Sequence, residues 1–314
     1  MIISASRRTD IPTWYSEWFC RRIKEGFLYV RNPMNYHQIS RIDLSPDIVD
    51  CIVFWTKNPI PMLGRLDELK DYMYYFQFTL TGYGKDIEKN LPDKKLELIP
   101  AFQTLSGKIG PERVIWRYDP IIISDKYSED YHIRAFRTIA EKLEGCTEKC
   151  VISFVDVYQK NKKNLQTIDM IHKTDDDLTA FAGKLASIAA DHGMVTATCA
   201  ELIDLSAAGI EHNSCIDRHL IERLTGYPIQ VEKDANQRPE CGCAASIDVG
   251  AYNTCPNSCK YCYANYNEES VKTNVRKYDP ASPLLCGEVA PEDKITDRKM
   301  KSLKQRQISL FDQE

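Results

Sequence analysis

The chain has 314 residues, of which 43% are hydrophobic and 27% charged, a composition that supports a globular protein with a sizeable core. Its 41 basic residues are outnumbered by 45 acidic ones, and the formal charge of −4 argues against a general attraction to nucleic acid. No apolar run approaches a membrane span, and the first six residues lack the layout of a signal peptide. The sequence therefore predicts a cytoplasmic protein without membrane contact, whose 12 cysteines are metal ligands or buried thiols rather than disulfides.

Six short runs of β-branched or aromatic residues are each followed by a polar segment and then by a stretch with helical periodicity. The six runs are Ile2–Ser6, Val49–Trp55, Tyr74–Leu80, Arg113–Trp116, Cys150–Val155 and Met194–Thr198. The helical stretches include Trp14–Lys24, Gly64–Tyr72, His132–Leu143 and Asp176–Asp191. This alternation predicts an α/β fold with a parallel sheet, and six units favour a full or partial β/α barrel over an open sheet.

Each predicted strand ends in polar residues, at the edge where a β/α barrel assembles its active site. A single Thr, Asp, Asn or Pro there is equally expected of a helix cap or turn, but six such segments in register, several of them basic, favour a site. The polar residues expected at the barrel mouth are Arg7, Arg8, Asp10, Arg117, Asp119, Asp156 and Lys160. We expect the first five to act on the substrate. The paired arginines indicate an anionic substrate such as a nucleotide or nucleic acid, unless Asp10 and Asp119 neutralise them internally.

A loop near the end of the chain carries Cys255, Cys259 and Cys262 at C-x₃-C-x₂-C spacing, directly after a predicted short strand at residues 245–250. Thiolates at such short spacing bind an iron–sulfur cluster or a zinc ion. Zinc would require a fourth ligand, and no C-x₂-C or H-x₃-H pattern follows Cys262, so the spacing favours a cluster. Three ligands leave one iron of a [4Fe–4S] cube open, and an open metal position permits chemistry.

A second group of cysteines lies within residues 199–243, a segment that is otherwise irregular in pattern from residue 211. Its members are Cys199, Cys215, Cys241 and Cys243. They are candidates for an auxiliary [4Fe–4S] cluster or a zinc site, because a Cys-Gly-Cys turn has no packing role. In the alternative interpretation Cys199 is a core thiol and one or two others are spectators. The remaining cysteines and His132 are interpreted as structural.

The sequence predicts one barrel domain over residues 1–278 that includes a cluster loop at 251–265, followed by a polar tail at 279–314. The tail intersperses basic with apolar residues and predicts an amphipathic helix that packs on the barrel by one face. Contact with a phosphate backbone is the less favoured alternative. The residues concerned are Lys294, Arg298, Lys299, Lys301, Lys304 and Arg306, with Met300, Leu303 and Ile308.

The segment SIDVGAYNTCPNSCKYCYA, residues 246–264, resembles the first strand and cluster loop of the radical S-adenosylmethionine (SAM) superfamily. Thr9-Asp10 and the Phe-Trp-Thr-Lys motif at 54–57 resemble the next strands of its spore photoproduct lyase and DNA-repair photolyase branch. The loop comes first in that superfamily and last here. The resemblance therefore implies a circularly permuted barrel in which the C-terminal strand lies beside the N-terminal one.

Three further motifs, Ser-Arg-Arg-Thr-Asp at 6–10, Phe-Trp-Thr-Lys-Asn at 54–58 and Trp-Arg-Tyr-Asp-Pro at 116–120, together with the terminal cysteines, are similar to those of an uncharacterised bacterial family. That family is a domain of unknown function and implies no activity.

The radical SAM resemblance implies that Cys255, Cys259 and Cys262 hold a [4Fe–4S] cluster whose open iron is chelated by SAM, and that the reduced cluster cleaves SAM to a 5′-deoxyadenosyl radical. It also implies an electron donor such as flavodoxin or ferredoxin, a position for Tyr261 near the adenine, and one for Lys57 near the SAM carboxylate.

Charge pairing alone also predicts a cation near that carboxylate, with Arg117 competing for the position and a solvated Lys57 as the alternative. Thr79 and Thr81, or the turn at 82–84, are candidates to hydrogen-bond SAM. Two other functions remain open: a metal-stabilised nucleic-acid-binding protein and a two-cluster redox protein without SAM chemistry.

Overall fold

The computed structural model describes residues 1–305 and contains two sheets. The strands are β1 (Ile2–Ala5), β2 (Phe27–Arg31), β3 (Gln38–Asp43), β4 (Cys51–Thr56), β5 (Tyr74–Thr79), β6 (Val114–Ile121), β7 (Lys149–Phe154), β8 (Val195–Cys199), β9 (Glu211–Asn213), β10 (Ile247–Asp248) and β11 (Lys294–Asp297). The main sheet has eight strands in the order β10-β1-β4-β5-β6-β7-β8-β9. Every neighbouring pair in it is parallel, so the predicted α/β class with a parallel sheet is confirmed.

Helices connect most of the parallel strands, as crossover connections require. They are α1 (Ile11–Trp14), α2 (Ser16–Glu25), α3 (Ile60–Leu63), α4 (Ile99–Ile109), α5 (Glu129–Leu143), α6 (Lys162–Leu165), α7 (Asp175–Asp191), α8 (Arg218–Thr225) and α9 (Glu268–Val275). Side-chain caps define where several helices begin. Before α5, Ser128 accepts a hydrogen bond from the Tyr131 amide, and before α7, Thr174 forms a capping box with Asp177.

The six predicted strands are all present, and so are three of the four named helical stretches. The prediction for Gly64–Tyr72 is wrong: the segment contains only a 3₁₀ turn at Leu66–Leu69, preceded by the four-residue α3. The expected neighbour relation of the last sheet strand is confirmed, because β10 pairs with β1 through Ile3↔Ile247 and Ser4↔Asp248.

The strands bury apolar side chains on both faces, as parallel sheets do. One face packs against the crossover helices, with Phe54 and Phe76 stacked at 4.8 Å between ring centroids and Trp116 against Phe136 of α5 at 4.6 Å. The other face contributes a second cluster, which packs against the cysteine-rich segment. The strand residues of that cluster are Ile2, Cys51, Val53, Tyr75, Ile115 and Val151.

The cysteine-rich segment crosses this second face. The carbonyl of Cys215 accepts hydrogen bonds from the Tyr75 hydroxyl at 2.7 Å and the Gln77 amide at 2.8 Å, both on β5 near the middle of the sheet. The expectation of irregular structure from residue 211 is wrong in part, since the segment contains β9 and α8. Asp217 caps α8 at its start, and Gly226, in the left-handed region with φ of +74°, ends it.

The sheet is strongly curved. Eight flat strands spaced about 4.8 Å apart would separate β9 from β10 by roughly 34 Å. The amide of Ala244, three residues before β10, donates to the carbonyl of Ile216, three residues after β9, at 3.0 Å. Two three-residue segments joined by this hydrogen bond allow a separation of at most about 25 Å between β9 and β10. The two edges of the sheet therefore bend toward each other, although β9 and β10 are not paired within residues 1–305.

The C-terminal segment joins the second sheet, which has the order β11-β3-β2. The predicted amphipathic helix is wrong for the described part of the tail, because Lys294–Asp297 form β11 and residues 298–305 contain no helix. Arg306 and Ile308 lie outside the described residues. The carboxylate of Asp50 connects the N-terminus with the last described residues. It contacts the Met1 ammonium group and accepts hydrogen bonds from the Ser302 hydroxyl at 2.5 Å and the Leu303 amide at 2.8 Å. In residues 1–305, helices of the length and apolar character needed to cross a bilayer are absent.

Candidate functional site

A cavity of about 440 Å³ opens where the β1, β4, β5, β6, β7 and β8 strands end. Its volume is typical of a small-molecule site. All seven cysteines of the two predicted sets line it: Cys199, Cys215, Cys241, Cys243, Cys255, Cys259 and Cys262. They reach it from opposite edges of the sheet, because the loop of Cys255 follows β10 whereas Cys199 and Cys215 follow β8 and β9.

The three-cysteine loop is anchored to the end of β1 by Asp248. This carboxylate accepts from the hydroxyls of Ser4 and Ser6, each at 2.7 Å, and from the Arg7 amide at 2.8 Å. Two residues later the chain approaches β1 so closely that a Cβ on Gly250 would lie 2.0 Å from the Ser6 hydroxyl oxygen. Only glycine fits there, which explains the residue that opens the loop.

Two neighbouring elements hold the loop from outside. Trp14 and Tyr15, at the end of α1, bind it through the Asn257 side chain at 2.8 Å and the Thr254 carbonyl at 2.5 Å. Asn161, before α6, donates to the Tyr261 carbonyl at 3.2 Å. Ser258 has φ of +53°, a left-handed turn between the first two cysteines that lets both face the cavity.

The loop cysteines are suited to hold a metal cluster. All twelve cysteines are free thiols, so none of the three is committed to a disulfide. Burial raises the pKa of Cys255 to about 12 and that of Cys259 well above its usual range, and repulsion from the neighbouring loop thiolates raises the pKa of both further. A bound metal removes both penalties, because it replaces the protons and neutralises the thiolates.

Asp10, predicted to act on the substrate, is fully engaged within the protein. Its two carboxylate oxygens accept from the amides of Thr13 and Lys57, the Thr56 hydroxyl and the Asn257 side chain, at 2.8 to 3.1 Å. The residue lines the cavity, but it ties β1, β4 and the cluster loop together. Asp10 is therefore a positioning residue.

Glu88 is a functional candidate that the sequence reasoning missed. Only 2% exposed, it accepts from Lys57 at 3.2 Å and also from Lys94, Tyr261 and, at 2.9 Å, Thr81. Burial would raise the pKa of Glu88, but Lys57 and Lys94 outweigh burial and hold the pKa at about 2. One carboxylate between two ammonium groups leaves a net charge of +1 beside Cys259, whose thiolate interacts with both lysines.

The residues predicted to contact SAM do not all line the cavity. Lys57 lines the cavity and is not a solvated lysine, since its ammonium group also donates to the Tyr261 hydroxyl at 2.7 Å. Thr79 and Tyr261 line the cavity as well. Thr81 does not line the cavity: its hydroxyl donates to Glu88 at 2.9 Å and accepts from Lys94 at 3.1 Å.

The arginines at the cavity are paired with carboxylates, which weakens the argument for an anionic substrate. Arg117 lines the cavity and forms a two-bond pair with Asp119, and its other nitrogen donates to the Cys215 sulfur at 2.7 Å, in the second cysteine set. Three other pairs are Arg7 with Asp234, Arg8 with Asp248 and Arg238 with Asp156, at 3.4, 3.8 and 2.6 Å. Lys160 does not line the cavity; its ammonium group lies 4.1 Å from the Tyr252 ring centroid.

The fold brings the four thiols of the second cysteine set together at one side of the cavity. The sulfurs of Cys199 and Cys215 are 3.0 Å apart, and contact with Cys215 raises the pKa of Cys199 well above its usual range. Cys215 also contacts Cys243, and contact with Cys243 lowers the pKa of Cys241 to about 7. The four thiols therefore form one continuous group. Within residues 1–305, no three His, Cys, Asp or Glu side chains are already spaced as ligands of a single metal ion.

Several buried polar atoms at the cavity have no hydrogen-bond partner within the described part of the chain. They are Nη2 of Arg7, Oγ1 of Thr9 and Oδ1 of Asn265. Buried polar groups in native proteins are nearly always paired, so three unpaired atoms around one cavity point to a bound ligand or water. Thr9 belongs to the Ser-Arg-Arg-Thr-Asp motif at 6–10, whereas no sequence pattern singled out Asn265. His132, by contrast, is structural as expected, bonded to the Tyr118 hydroxyl and the Ile122 carbonyl.

A comparison with protein families matches residues 2–264 to the family described as "Domain of unknown function (DUF1848)". The match includes the main sheet and all seven cysteines at the cavity, and it stops at the end of the three-cysteine loop. No curated protein and no solved structure matched the chain. Because the match spans most of the sequence, the chain belongs to the DUF1848 family.

Proposed function

We propose that this protein is a radical SAM enzyme, with a permuted β/α barrel as its scaffold and a substrate bound in the cavity. The observation that supports the proposal most strongly is the loop of Cys255, Cys259 and Cys262, whose three free thiols face one ligand-sized cavity. Thiolates of a four-iron cube bind separate irons, so they need not be spaced as ligands of one ion.

The three loop thiolates would hold the cluster, and the fourth iron would bind SAM. When bound and reduced by a flavodoxin- or ferredoxin-type donor, the cluster supplies the electron that cleaves SAM and generates a radical for hydrogen abstraction. The net charge of +1 on Lys57, Lys94 and Glu88 would stabilise anionic groups beside Cys259, such as a thiolate-bound cluster and the SAM carboxylate.

The remaining residues of the chain would orient SAM and exclude water. Lys57 has a third ammonium proton beyond those donated to Glu88 and Tyr261, and that proton is free for a carboxylate in the cavity. Unpaired Thr9 and Asn265 offer a hydroxyl and an amide oxygen to polar groups of the ligand. The strand order supports a permuted scaffold, because the cluster-loop strand β10 lies beside β1 although it comes last in the chain.

The test is anaerobic reconstitution with iron and sulfide, followed by dithionite and SAM. We expect about four irons at the loop and release of 5′-deoxyadenosine. Cys259→Ala should abolish release, whereas the matched control Cys146→Ala, which changes a thiol outside the cavity, should retain it. A verified four-iron cluster without any SAM cleavage product would contradict the proposal.

A two-cluster redox protein is the alternative that the geometry supports next, because both thiol sets border one cavity. Such a protein needs no SAM site, so calorimetric titration with SAM separates it from the enzyme. The nucleic-acid alternative loses its main support, since the described basic tail forms β11 instead of a helix. A steep loss of DNA or RNA affinity with salt, without SAM turnover, would restore it.

A further inference from the structure

We propose that Cys199, Cys215, Cys241 and Cys243 bind a second metal centre, either a zinc ion or an iron–sulfur cluster, in the wall of the same cavity. The inference rests on these four thiols and their surroundings, and it does not depend on SAM chemistry.

The four thiols converge from three separate segments. Cys199 ends β8, Cys215 follows β9, and Cys241 and Cys243 lie in the turn that leads toward β10. The Cys199 and Cys215 sulfurs are 3.0 Å apart, and the other two continue the group through Cys243. Convergence of thiols from distant parts of a chain is the usual construction of a structural or auxiliary metal site.

Two buried guanidinium groups face this set, which is unexpected if the thiols are only core side chains. Arg117 donates to the Cys215 sulfur at 2.7 Å, and Arg7 places an unpaired Nη2 in the same cavity wall. Asp119 and Asp234 balance the two charges, but Nη1 of Arg117 faces a neutral thiol, which is a weak acceptor, and Nη2 of Arg7 has no acceptor within residues 1–305. Four thiolates on a zinc ion, or on a four-iron cluster of charge +2, carry a net charge of −2 and would satisfy both donors.

The backbone around the set is also arranged for thiolates. The Ile216 amide points at the Cys243 sulfur at 3.4 Å, and amide-to-sulfur hydrogen bonds stabilise metal-bound thiolates. The Cys215 carbonyl is fixed by Tyr75 and Gln77, and the Gly242 carbonyl by the Ser214 hydroxyl at 2.7 Å. A substituent at Gly242 would meet that hydroxyl at 2.6 Å and would displace it from this hydrogen bond.

The Cys199 and Cys215 sulfurs would have to move apart to bind either type of centre. Zinc–sulfur bonds of 2.3 Å in a tetrahedron set the sulfurs about 3.8 Å apart, compared with 3.0 Å between Cys199 and Cys215 here. A cluster requires a larger separation. Since both thiol sets border the cavity, the second centre would contact the molecule bound there and would not be a remote structural site.

The decisive variant removes the loop thiols and keeps the second set: Cys255→Ala, Cys259→Ala and Cys262→Ala together. After anaerobic reconstitution with iron, sulfide and zinc, we expect either about one zinc or about four irons with four sulfides per chain. Zinc identifies a single-ion site, and iron with sulfide identifies a cluster. Less than about 0.1 metal per folded chain would overturn the inference.

Two further measurements keep the test decisive. Cys241→Ser with Cys243→Ser should lose only the second metal and keep the loop iron, while Cys146→Ser should keep both. If the triple variant does not fold, alkylation of the native protein replaces it: Cys199 and Cys243 should be protected until a chelator removes the metal, and equal labelling before and after chelation would overturn the inference. A protein that contains both metals but does not cleave SAM would contradict the proposed function alone.

Discussion

Glu88 places one buried carboxylate between two ammonium groups, directly behind the loop of Cys259. Both carboxylate oxygens are used, one toward Lys57 and the other toward Lys94 and Thr81. An isolated β-bridge between Glu88 and Cys259 brings the two backbones together as well. The residue therefore determines both the position of Lys57 and the charge that the cluster loop experiences.

Glu88→Gln preserves the shape of the side chain and removes its charge. Two buried lysines would then lack a counter-charge, and breaking such a pair costs about 3–5 kcal/mol. The loss is partly relieved because burial already lowers the pKa of Lys94, which can release its proton. Urea unfolding at neutral pH measures the difference, and the exposed Glu269→Gln serves as the control.

The pH dependence of that difference has a defined sign. Glu88 has a pKa of about 2 in the folded protein, below its ordinary value of 4.5. Its contribution to the free energy of unfolding is therefore complete above pH 4.5 and is lost as the pH falls toward 2. Wild type and Glu88→Gln should converge in stability over this window. A difference that stayed constant across it would contradict the proposed charge role.

Asp10→Asn tests the positioning role of Asp10. The carboxylate accepts four hydrogen bonds, and an amide NH₂ in place of one oxygen would face donors and satisfy none of them. We expect a loss of about 1–3 kcal/mol. Because Asn257 lies between two cluster cysteines, iron binding at the loop should weaken by about tenfold. Iron titration compares the variant with exposed Asp47→Asn; undiminished iron affinity would make Asp10 purely structural.

The sequence identified the site residues that belong to short, distinctive patterns and missed those that depend on packing. Both cysteine sets were found because thiols at close spacing are rare and chemically specific. Glu88 was missed because it follows β5 within an ordinary polar stretch, and only the folded chain brings Lys57, Lys94 and Tyr261 around it. Arg117 was assigned to SAM, whereas its contact is the Cys215 sulfur, 98 residues away in the chain.

Secondary-structure elements with a clear hydrophobic periodicity were predicted from the sequence. Strands whose position depends on pairing with a distant strand were not. Helices such as α5 and the buried parallel strands have strong local patterns. The hairpin of β2 and β3 was missed, since Phe27–Arg31 and Gln38–Asp43 are short and only partly buried. The tail was predicted as a helix because its basic and apolar residues intersperse, but β3 offered an unpaired edge that accepts β11.

The attachment of β11 leads to a prediction about exchange of its amides. Asp293, directly before β11, receives two hydrogen bonds from Arg31 on β2, each at 2.8 Å, and one from the Ala290 amide at 2.8 Å. Asp293→Asn should loosen the strand, so hydrogen exchange at 294–297 should accelerate by about tenfold. Amides of the main sheet provide the internal control. Unchanged exchange in β11 would show that its pairing with β3 is sufficient without the ion pair.

At the scale of the whole molecule, one parallel sheet brings residues that are far apart in the sequence to a single cavity. The strand order places β10, from near residue 247, beside β1, and curvature brings the opposite edge close enough for both thiol sets to share a cavity. The sequence predicted the parallel sheet and this neighbour relation. It could not predict that the cysteine-rich segment crosses the face of β5, because long-range packing has no local signal.

A circular permutant tests whether chain order matters to this architecture. Asp50 contacts both the Met1 ammonium group and the Leu303 amide, so the two ends of the described chain lie close together. A Gly/Ser linker between Glu314 and Met1, with new ends between Gly226 and Tyr227, would place β10 and the cysteine loop ahead of β1. Gly226 is exposed and ends α8, so the break should disturb little packing.

We expect this permutant to fold, with a melting temperature within about 10 °C of the original chain, and to bind the same amount of iron, because strand pairing depends on neighbours rather than on order. The control carries the same linker but opens between Met34 and Asn35, at the exposed β2–β3 turn, so β1 and β2 move to the end of the chain while the cysteine loop keeps its connection to the preceding segment. The prediction fails if the control folds and binds iron while the first permutant folds without iron. The cysteine loop would then require its present connection to the preceding segment, and the permuted-barrel relationship would lose its physical basis.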